Sequence, residues 1–332
     1  MNLAEAFQRE IEEFDAPKLV AAINERIREI LIHRLKRRGL IVGLSGGIDS
    51  SVTAALAAEA VGNRRVLAIL MPERHSSPET LEMSKLVARH FGIPTEHEDI
   101  TPILEAVRFY SRYNQAVRRV IPGYGDGWTS KIVRTNIIEN EGFALFSIVA
   151  LSPDGIAAEE RLPLQAYLEI VAATNFKQRI RKMLEYYYAD RFNFAVAGTP
   201  NRLEYDQGFF VKQGDGAADL KPIAHLYKSQ VYKLAEYLGI PETIRNRPPT
   251  TDTYSMPQSQ DEFYFSLPYR QMDLCLFAKN NGYGVEETAE LLGLTSLQTQ
   301  RVFDDIDKKR STTRYQHFPP LLMEEIPEIR AR

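Results

Sequence analysis

The segment from Leu44 to Ser51 carries the residues of this chain whose types and spacing are best suited to chemistry. Its glycine pair lets a phosphate approach the backbone closely, and N–H groups that open a helix attract anions. The hydroxyls of Ser45, Ser50 and Ser51 add donors, and Asp49 can hold a divalent cation against the same phosphates. An ordinary glycine turn with Asp49 as a helix cap is the alternative. That alternative explains neither the serine on the strand side nor the serine pair after Asp49.

The same loop lacks the lysine that ends a Walker motif and reaches the β- and γ-phosphates of a nucleotide. Gly46 and Gly47 are followed by Ile48 and Asp49 instead. We therefore predict a loop that holds pyrophosphate rather than one that supports transfer of a γ-phosphoryl group.

The elements around this loop alternate in the pattern of a parallel sheet with helices on both faces. Apolar segments predict strands at residues 39–44, 65–71, 95–100 and 192–197, and helical periodicity predicts helices at 4–38, 165–190 and 226–238. In such sheets ligands bind at the carboxyl ends of the strands, where the loop lies. Further helices are predicted at 269–280, 285–292 and 297–309, and residues 110–161 read as an insertion with a hairpin around Ser152–Gly155.

Composition disfavours a nucleic-acid-binding, membrane or disulfide-bonded protein. The chain has 332 residues, is 44% hydrophobic and 26% charged, and carries a net charge of −3, which does not favour binding to nucleic acid or to an anionic membrane. It has no apolar run of membrane-spanning length and no pattern of a signal peptide, so we expect a cytoplasmic enzyme. The single cysteine, Cys275, excludes an internal disulfide, and its apolar helix predicts a buried small residue rather than a nucleophile.

Three segments beyond the loop offer polar groups, each with an alternative. Arg179 and Arg181 could bind phosphate or ribose, although on this segment alone a solvated helix face is favoured. Residues 204–219 mix carboxylates with a lysine and could bind magnesium, an amine or phosphate; a polar surface loop is the alternative. Lys228 at a helix start opposes the helix dipole unless it meets an anion.

Taken in order, these motifs resemble the NAD synthetase family, whose loop type belongs to the ATP pyrophosphatases. The matching positions are Ser45–Ser51, Met71 and Pro72, Ser76 and Ser77, Asn175, Arg179, Arg181, Gly198, Thr199, Glu204, Gly208–Phe210, Lys212, Gly214–Gly216, Asp219, Lys228, Pro249, Thr250 and Asp252. The resemblance implies a Rossmann-like α/β fold of the doubly wound ATP pyrophosphatase type, with C-terminal helices. It also implies amidation of nicotinic acid adenine dinucleotide (deamido-NAD) to NAD through an acyl adenylate, with ammonia as nitrogen donor and AMP and pyrophosphate as products.

The resemblance also implies a role for each matching residue. It assigns pyrophosphate to the loop, ATP to Arg179, Thr199 and Lys228, and Mg²⁺ to Asp49 and Glu204. Asp49, Lys212 and Asp219 are expected to take part in catalysis, the last two as candidates for contact with the dinucleotide or ammonium. The residues expected to bind the dinucleotide substrate are Asn175, Asp215, Thr250 and Asp252. Homodimers are typical of the family, and without a glutaminase domain we expect free ammonia or ammonia from a separate glutaminase.

Departures from the family pattern leave a second hypothesis open. The insertion is longer than compact members need, and residues 257–265 are unusually aromatic, as pocket wall or as core. A related amide ligase for a different carboxylate is therefore the alternative function, and a nucleotide-binding module without catalysis is a third. We expect three parts: a helical segment at residues 1–38, a catalytic core at 39–245, and a loop with C-terminal helices at 246–332.

Overall fold

The computed structural model describes residues 1–138, 145–248, 253–259 and 261–329. Within these ranges the α-helices are α1 (Leu3–Phe7), α2 (Ala16–Glu29), α3 (Ile48–Val61), α4 (Pro78–Phe91), α5 (Thr101–Ala106), α6 (Phe109–Arg118), α7 (Leu164–Phe192), α8 (Arg202–Gln207), α9 (Lys228–Tyr237), α10 (Glu242–Arg245), α11 (Tyr269–Asn280), α12 (Val285–Leu292) and α13 (Ser296–Thr313). π-Helical turns occur at Gln8–Glu12, Ile30–Leu35 and Asp261–Phe265, and 3₁₀ turns at Asn63–Arg65 and Arg314–His317.

The strands of the described residues form two separate sheets. They are β1 (Leu40–Gly43), β2 (Val66–Leu70), β3 (Thr95–His97), β4 (Thr129–Arg134), β5 (Phe146–Leu151), β6 (Ala157–Arg161) and β7 (Ala195–Ala197). The first sheet is parallel, in the order β3-β2-β1-β7, and the second is antiparallel, in the order β4-β5-β6.

Helices cover both faces of the parallel sheet because its strands β1, β2 and β7 are apolar on both sides. Leu40 and Val42 pack in a core with side chains of α2, α3 and α9, while Ile41 between them packs against Tyr188 and Ala189 of α7. Alternate residues of a strand point to opposite faces, so one short strand serves two helical layers. The doubly wound α/β fold expected from the sequence is confirmed.

The insertion folds as the antiparallel sheet together with α6, and it packs against α7. Ile132 of β4 and Ile148 of β5 share a buried cluster with Tyr113 of α6 and Ile170 of α7. The predicted hairpin is confirmed: β5 pairs with β6, and the Ser152 amide donates to the Ile156 carbonyl at 2.9 Å. The insertion thus forms one wall above the sheet edge where the loop lies.

Three predicted elements differ from the structure. The strand predicted at 95–100 ends at His97, because Asp99 accepts from the Thr101 amide where α5 begins. The helix predicted at 4–38 is broken before α2, where Asp15 accepts from the Lys18 amide as an N-cap and a proline follows in the first turn. The strand predicted at 192–197 begins only at Ala195, because α7 continues to Phe192 and ends at Asn193 in the left-handed conformation (φ 55°). Among the described residues, none of the helices combines the length and apolar character that a membrane span requires. The predicted domain boundaries stay a prediction.

Candidate active site

A cavity of about 470 Å³ opens at the carboxyl ends of β1, β2 and β7. The loop after β1 forms its floor, and α7 passes along one side. Phe146 of the insertion and residues Thr253, Tyr254, Phe263 and Tyr264 line the other side. The residues singled out from the sequence that line it include Ser45, Gly47, Asp49, Ser50, Asn175, Arg181, Thr199, Glu204, Asp215 and Lys228. The structure therefore brings together residues from loops that lie far apart in sequence.

The loop after β1 is held in shape by its own hydroxyls and by one close contact. Ser50 Oγ and Ser51 Oγ donate to the Gly47 carbonyl at 3.0 and 2.8 Å, and Ser45 Oγ lies 3.1 Å from Ser50 Oγ. Gly46 has φ of +70°, and a Cβ there would lie 2.7 Å from Met83 Cβ on α4. A side chain at this position is therefore excluded both by backbone conformation and by space.

Asp49 is the centre of a polar cluster beside this loop. Its carboxylate accepts from the ammonium of Lys228 through Oδ2, and from Asn201 Nδ2 through Oδ1 at 3.0 Å. Asn201 is the N-cap of α8, and its backbone N–H donates to Glu204 Oε2 at 3.1 Å. Asp49, Glu204 and Lys228, from three separate elements, thus converge on one wall of the cavity.

Lys228 stays charged in this cluster although it is only 1% exposed. Burial opposes its charge, but the carboxylates of Asp49 and Glu204 outweigh burial and raise its pKa above the ordinary value. Asp273 on α11 supports the start of α9: its carboxylate accepts from the amides of Lys228 and Ser229 at 3.1 and 2.7 Å. Burial raises the pKa of Asp273 to about 7, against the effect of these donors. The sequence prediction missed Asp273, because nothing local marks a residue that caps a helix 44 positions away.

A second charged group lines the cavity on the α7 side. Lys182 Nζ donates to Glu185 Oε2 at 2.5 Å, and Asp215 Oδ1 accepts from the Val211 amide at 2.8 Å. Burial raises the pKa of both Glu185 and Asp215, although the neighbouring Lys182 lowers it in each case. These carboxyl groups accordingly hold a proton more readily than exposed ones.

The insertion side of the cavity is largely aromatic, and the lysine of one buried ion pair also lines it. Phe146 of β5 stacks on Tyr167 of α7, with ring centroids 4.6 Å apart. Lys177 Nζ donates to Glu73 Oε1 at 2.7 Å and to the Thr253 carbonyl at 3.1 Å, and Tyr110 of α6 donates to Glu73 Oε2 at 3.0 Å. This ion pair joins the insertion to α7 and to the loop after β2.

The aromatic segment at 257–265 serves as both pocket and core. Phe263 and Tyr264 line the cavity, and Tyr264 stacks on Phe209 with centroids 4.5 Å apart. Phe265 is 3% exposed and lies in the apolar cluster of the C-terminal helices, as does Cys275. Burial raises the pKa of the Cys275 thiol to about 12, which agrees with a packing role.

Other residues predicted for the site lie outside this cavity. Arg179 is exposed, and its Nε donates to the Lys212 carbonyl at 3.3 Å, while Lys212 Nζ donates to the Tyr315 carbonyl at 2.7 Å. Asp219 accepts from the Val196 amide at 2.7 Å, beside a separate cavity of about 90 Å³. Gly46 and Ser51 belong to the loop segment but do not line the cavity; their contacts fix the conformation of the loop. Thr250 and Asp252 fall outside the described residues, and the roles predicted for all these positions stay predictions.

The donors near the loop suit a magnesium ion carried by a nucleotide. Among the described residues no three His, Cys, Asp or Glu side chains form a metal site by themselves. Mg²⁺ usually takes one or two protein carboxylates and completes its octahedron with water and substrate phosphates. Asp49 and Glu204, placed beside the loop predicted to hold pyrophosphate, match that donor set.

A parallel sheet with helices on both faces and a glycine and serine loop after its first strand defines a doubly wound α/β protein. A family model described as NAD synthase matches residues 19–124 and 129–316. The chain is 54% identical to an NH3-dependent NAD+ synthetase of Rhizobium rhizogenes over 98% of both chains. It is 35% identical to one of Thermotoga neapolitana, over 78% of this chain and 81% of that one. The chain therefore belongs to the NAD synthase family.

Solved structures agree with this fold. An NH3-dependent NAD synthetase from Campylobacter jejuni superposes with a TM-score of 0.61 at 23% identity, covering 94% of this chain and all of that one (100%). An NMN synthetase from Francisella tularensis superposes with a TM-score of 0.64 at 21% identity, covering 93% and 98%. At these identities the likeness supports the α/β architecture alone.

Proposed function

We propose that the protein converts deamido-NAD to NAD⁺ with ATP and ammonia and releases AMP and pyrophosphate. One observation carries the proposal: Asp49, Glu204 and Lys228 converge beside a glycine and serine loop at the sheet edge. The names of the relatives that share more than half of their residues with this chain support the same activity.

The reaction has two steps. A nicotinate carboxylate oxygen attacks the α-phosphorus of ATP, the bond to the β-phosphate oxygen breaks, and pyrophosphate leaves. Ammonia then attacks the acyl carbon of the adenylate, AMP leaves with its oxygen, and a proton is released. AMP is a good leaving group where oxide is not, so the first step makes the acyl carbon reactive.

The loop and its neighbours would stabilise the charge that develops on pyrophosphate. The N–H groups at the start of α3, with Ser45, Ser50 and Ser51, would hold the phosphates, and Lys228 would exchange its contact with Asp49 for a phosphate oxygen. Thr199 and Arg179 would contact ATP. Asp49 and Glu204 would hold Mg²⁺, which, when bound, neutralises phosphate charge and favours departure of the leaving group.

The dinucleotide would contact residues of the cavity and others that lie outside it. Asn175 and Asp215 line the cavity, and with Thr250 and Asp252 they are the groups we assign to this substrate. Lys212 and Asp219 lie outside it, and we propose that they contact the dinucleotide in a homodimer with substrate at the subunit contact. A cytoplasmic enzyme that takes free ammonia, or ammonia from a separate glutaminase, completes the proposal.

The test is to follow NAD⁺ by mass while measuring pyrophosphate from MgATP and ammonium, with and without deamido-NAD. We expect equal amounts of NAD⁺ and pyrophosphate, and no pyrophosphate without the dinucleotide. If pyrophosphate appears only with another acid, such as nicotinic acid mononucleotide, the alternative of a ligase for a different carboxylate holds. ATP binding without pyrophosphate release from any acid would indicate a binding module.

A further inference from the structure

Asn201 is the residue that touches both carboxylates of the predicted metal site. It lies between β7 and α8, and it is 1% exposed, so its side chain is enclosed by the protein. Its Nδ2 donates to Asp49 Oδ1 at 3.0 Å, and its Oδ1 accepts from the Glu204 amide at 3.3 Å. The Glu204 carboxylate in turn accepts a hydrogen bond from the backbone N–H of Asn201 at 3.1 Å.

Only one orientation of the Asn201 side chain satisfies these contacts. A backbone N–H must face an oxygen and a carboxylate must face an N–H donor, so the amide cannot be flipped without breaking both bonds. A serine or threonine could replace the oxygen that caps α8, but its single hydroxyl cannot also occupy the place of Nδ2. An aspartate could cap the helix but would turn an oxygen toward Asp49.

The two carboxylates come from the first turns of two different helices, α3 and α8, and no covalent bond fixes their separation. Asp49 follows β1 and Glu204 follows β7, and these strands are neighbours in the sheet. Asp49 is also drawn toward Lys228 by its other oxygen. A contact on the opposite oxygen therefore decides where the Asp49 carboxylate rests relative to Glu204.

We propose that Asn201 is a positioning residue that holds Asp49 and Glu204 in the geometry that accepts the magnesium ion of MgATP. This inference rests on the proposed function for the identity of the ion and nucleotide. Partners that orient metal ligands in this way commonly change metal affinity by about 10- to 100-fold when they are removed.

The test compares Asn201→Ser with Asn2→Ser. Asn2 caps α1 with the same capping box, in which its side chain accepts from the Glu5 amide, and it lies outside the cavity. Serine is a strong N-cap residue, so both variants should lose similarly little stability in thermal melting. Asn201→Gly and Asn2→Gly form a second pair, because glycine is also a well-accepted N-cap residue.

The main readout is Mn²⁺ binding by electron paramagnetic resonance in the presence of a non-hydrolysable ATP analogue, which needs no turnover. We expect both Asn201 variants to weaken Mn²⁺ binding by about tenfold or more, with no change in either Asn2 variant. The Mg²⁺ concentration for half-maximal turnover should rise in parallel, while the KM for the dinucleotide stays near the wild-type value.

Wild-type Mn²⁺ affinity in the folded Asn201 variants would overturn the positioning role and leave Asn201 as a helix cap. So would an equal loss in the Asp49→Asn background, because a residue that acts through Asp49 costs little once Asp49 is replaced. Failure of the proposed function is distinguished by product, since metal binding can be measured even if no NAD⁺ forms.

Discussion

The two sides of the cavity are built in different ways. On the loop side, the charged groups Asp49 and Lys228 line the cavity and contact each other, and the buried amide of Asn201 donates to Asp49. On the insertion side, aromatic rings line the cavity, and Glu73 and Lys177 form a buried ion pair beside them, of which Lys177 also reaches the cavity lining. The first arrangement can exchange its internal contacts for a ligand, whereas the second stabilises the wall. We therefore expect substitutions on the loop side to affect turnover, and substitutions of the buried pair to affect stability.

The largest effect is expected from Asp49→Asn on the loop side. The variant keeps the side-chain volume but loses a metal ligand and the charge that faces Lys228, so kcat for NAD⁺ formation should fall by about 10³-fold or more. Steady-state kinetics and thermal melting measure the two quantities. Asp154→Asn in the exposed hairpin turn is the control and should leave both unchanged. A large loss of melting temperature with retained kcat would contradict the comparison.

The buried pair should show the opposite pattern in Glu73→Gln. This variant leaves the Lys177 ammonium without its buried carboxylate, and the free energy of unfolding at pH 7 should fall by about 3 kcal/mol. The matched control is Glu105→Gln, which breaks an exposed pair with Arg74 and should cost little. Adding Lys177→Met to Glu73→Gln should restore part of the loss, because no uncompensated charge then remains.

The same pair gives a pH dependence with a definite sign. Burial by itself would raise the pKa of Glu73, but Lys177 outweighs burial and lowers it from 4.5. A lowered folded-state pKa contributes stability above the unfolded value, and that contribution is lost as pH falls through the folded value. The stability gap between wild type and Glu73→Gln should therefore be full above about pH 4.5 and narrow below it. A gap that stays constant in denaturant titrations at pH 7 and pH 3 would contradict the assignment.

A smaller effect on MgATP binding is expected from Arg310→Ala on α13, the helix that contacts α8. Arg310 binds the Asp206 carboxylate of α8 through two contacts of 2.6 and 2.8 Å, which hold the helix that carries Glu204. Loss of this partly exposed pair should cost about 1 kcal/mol and raise the KM for MgATP a few-fold. Arg119→Ala, which removes a similar pair between the insertion and Glu169 of α7, should leave KM unchanged. Equal KM values in both variants would show that α8 needs no support from α13.

The loop side could be predicted from sequence where the chemistry is local. The glycine and serine pattern from Ser45 to Ser51 predicts the loop directly. Lys228 is predicted because it places a positive charge at the start of a helix, where the helix dipole disfavours it. Asn201 and Asp273 were missed because each acts on a residue more than 40 positions away. The spacing of Asn201 and Glu204 is a capping-box pattern and could have indicated the start of α8.

The insertion side was harder to predict. The hairpin at Ser152–Gly155 followed from its turn residues, but the partner of Glu73 could not be inferred, since 104 positions separate it from Lys177. Phe192 reads as a strand residue beside an apolar run, yet it ends α7, because helical propensity continues until Asn193 adopts a left-handed conformation. Periodicity identified the elements, and only tertiary contacts decided their ends and partners.

The place of β7 beside β1 has a consequence for how the molecule is made. The contacts of Asp49 with Asn201 and Lys228 span 152 and 179 positions, so they are among the long-range contacts that form slowly in folding. A chain that has emerged from the ribosome only as far as the insertion already contains the phosphate loop but neither of its partners. The loop therefore reaches its final structure late in folding. In a truncated or stalled chain, the Asp49 carboxylate would lack the contacts with Asn201 and Lys228.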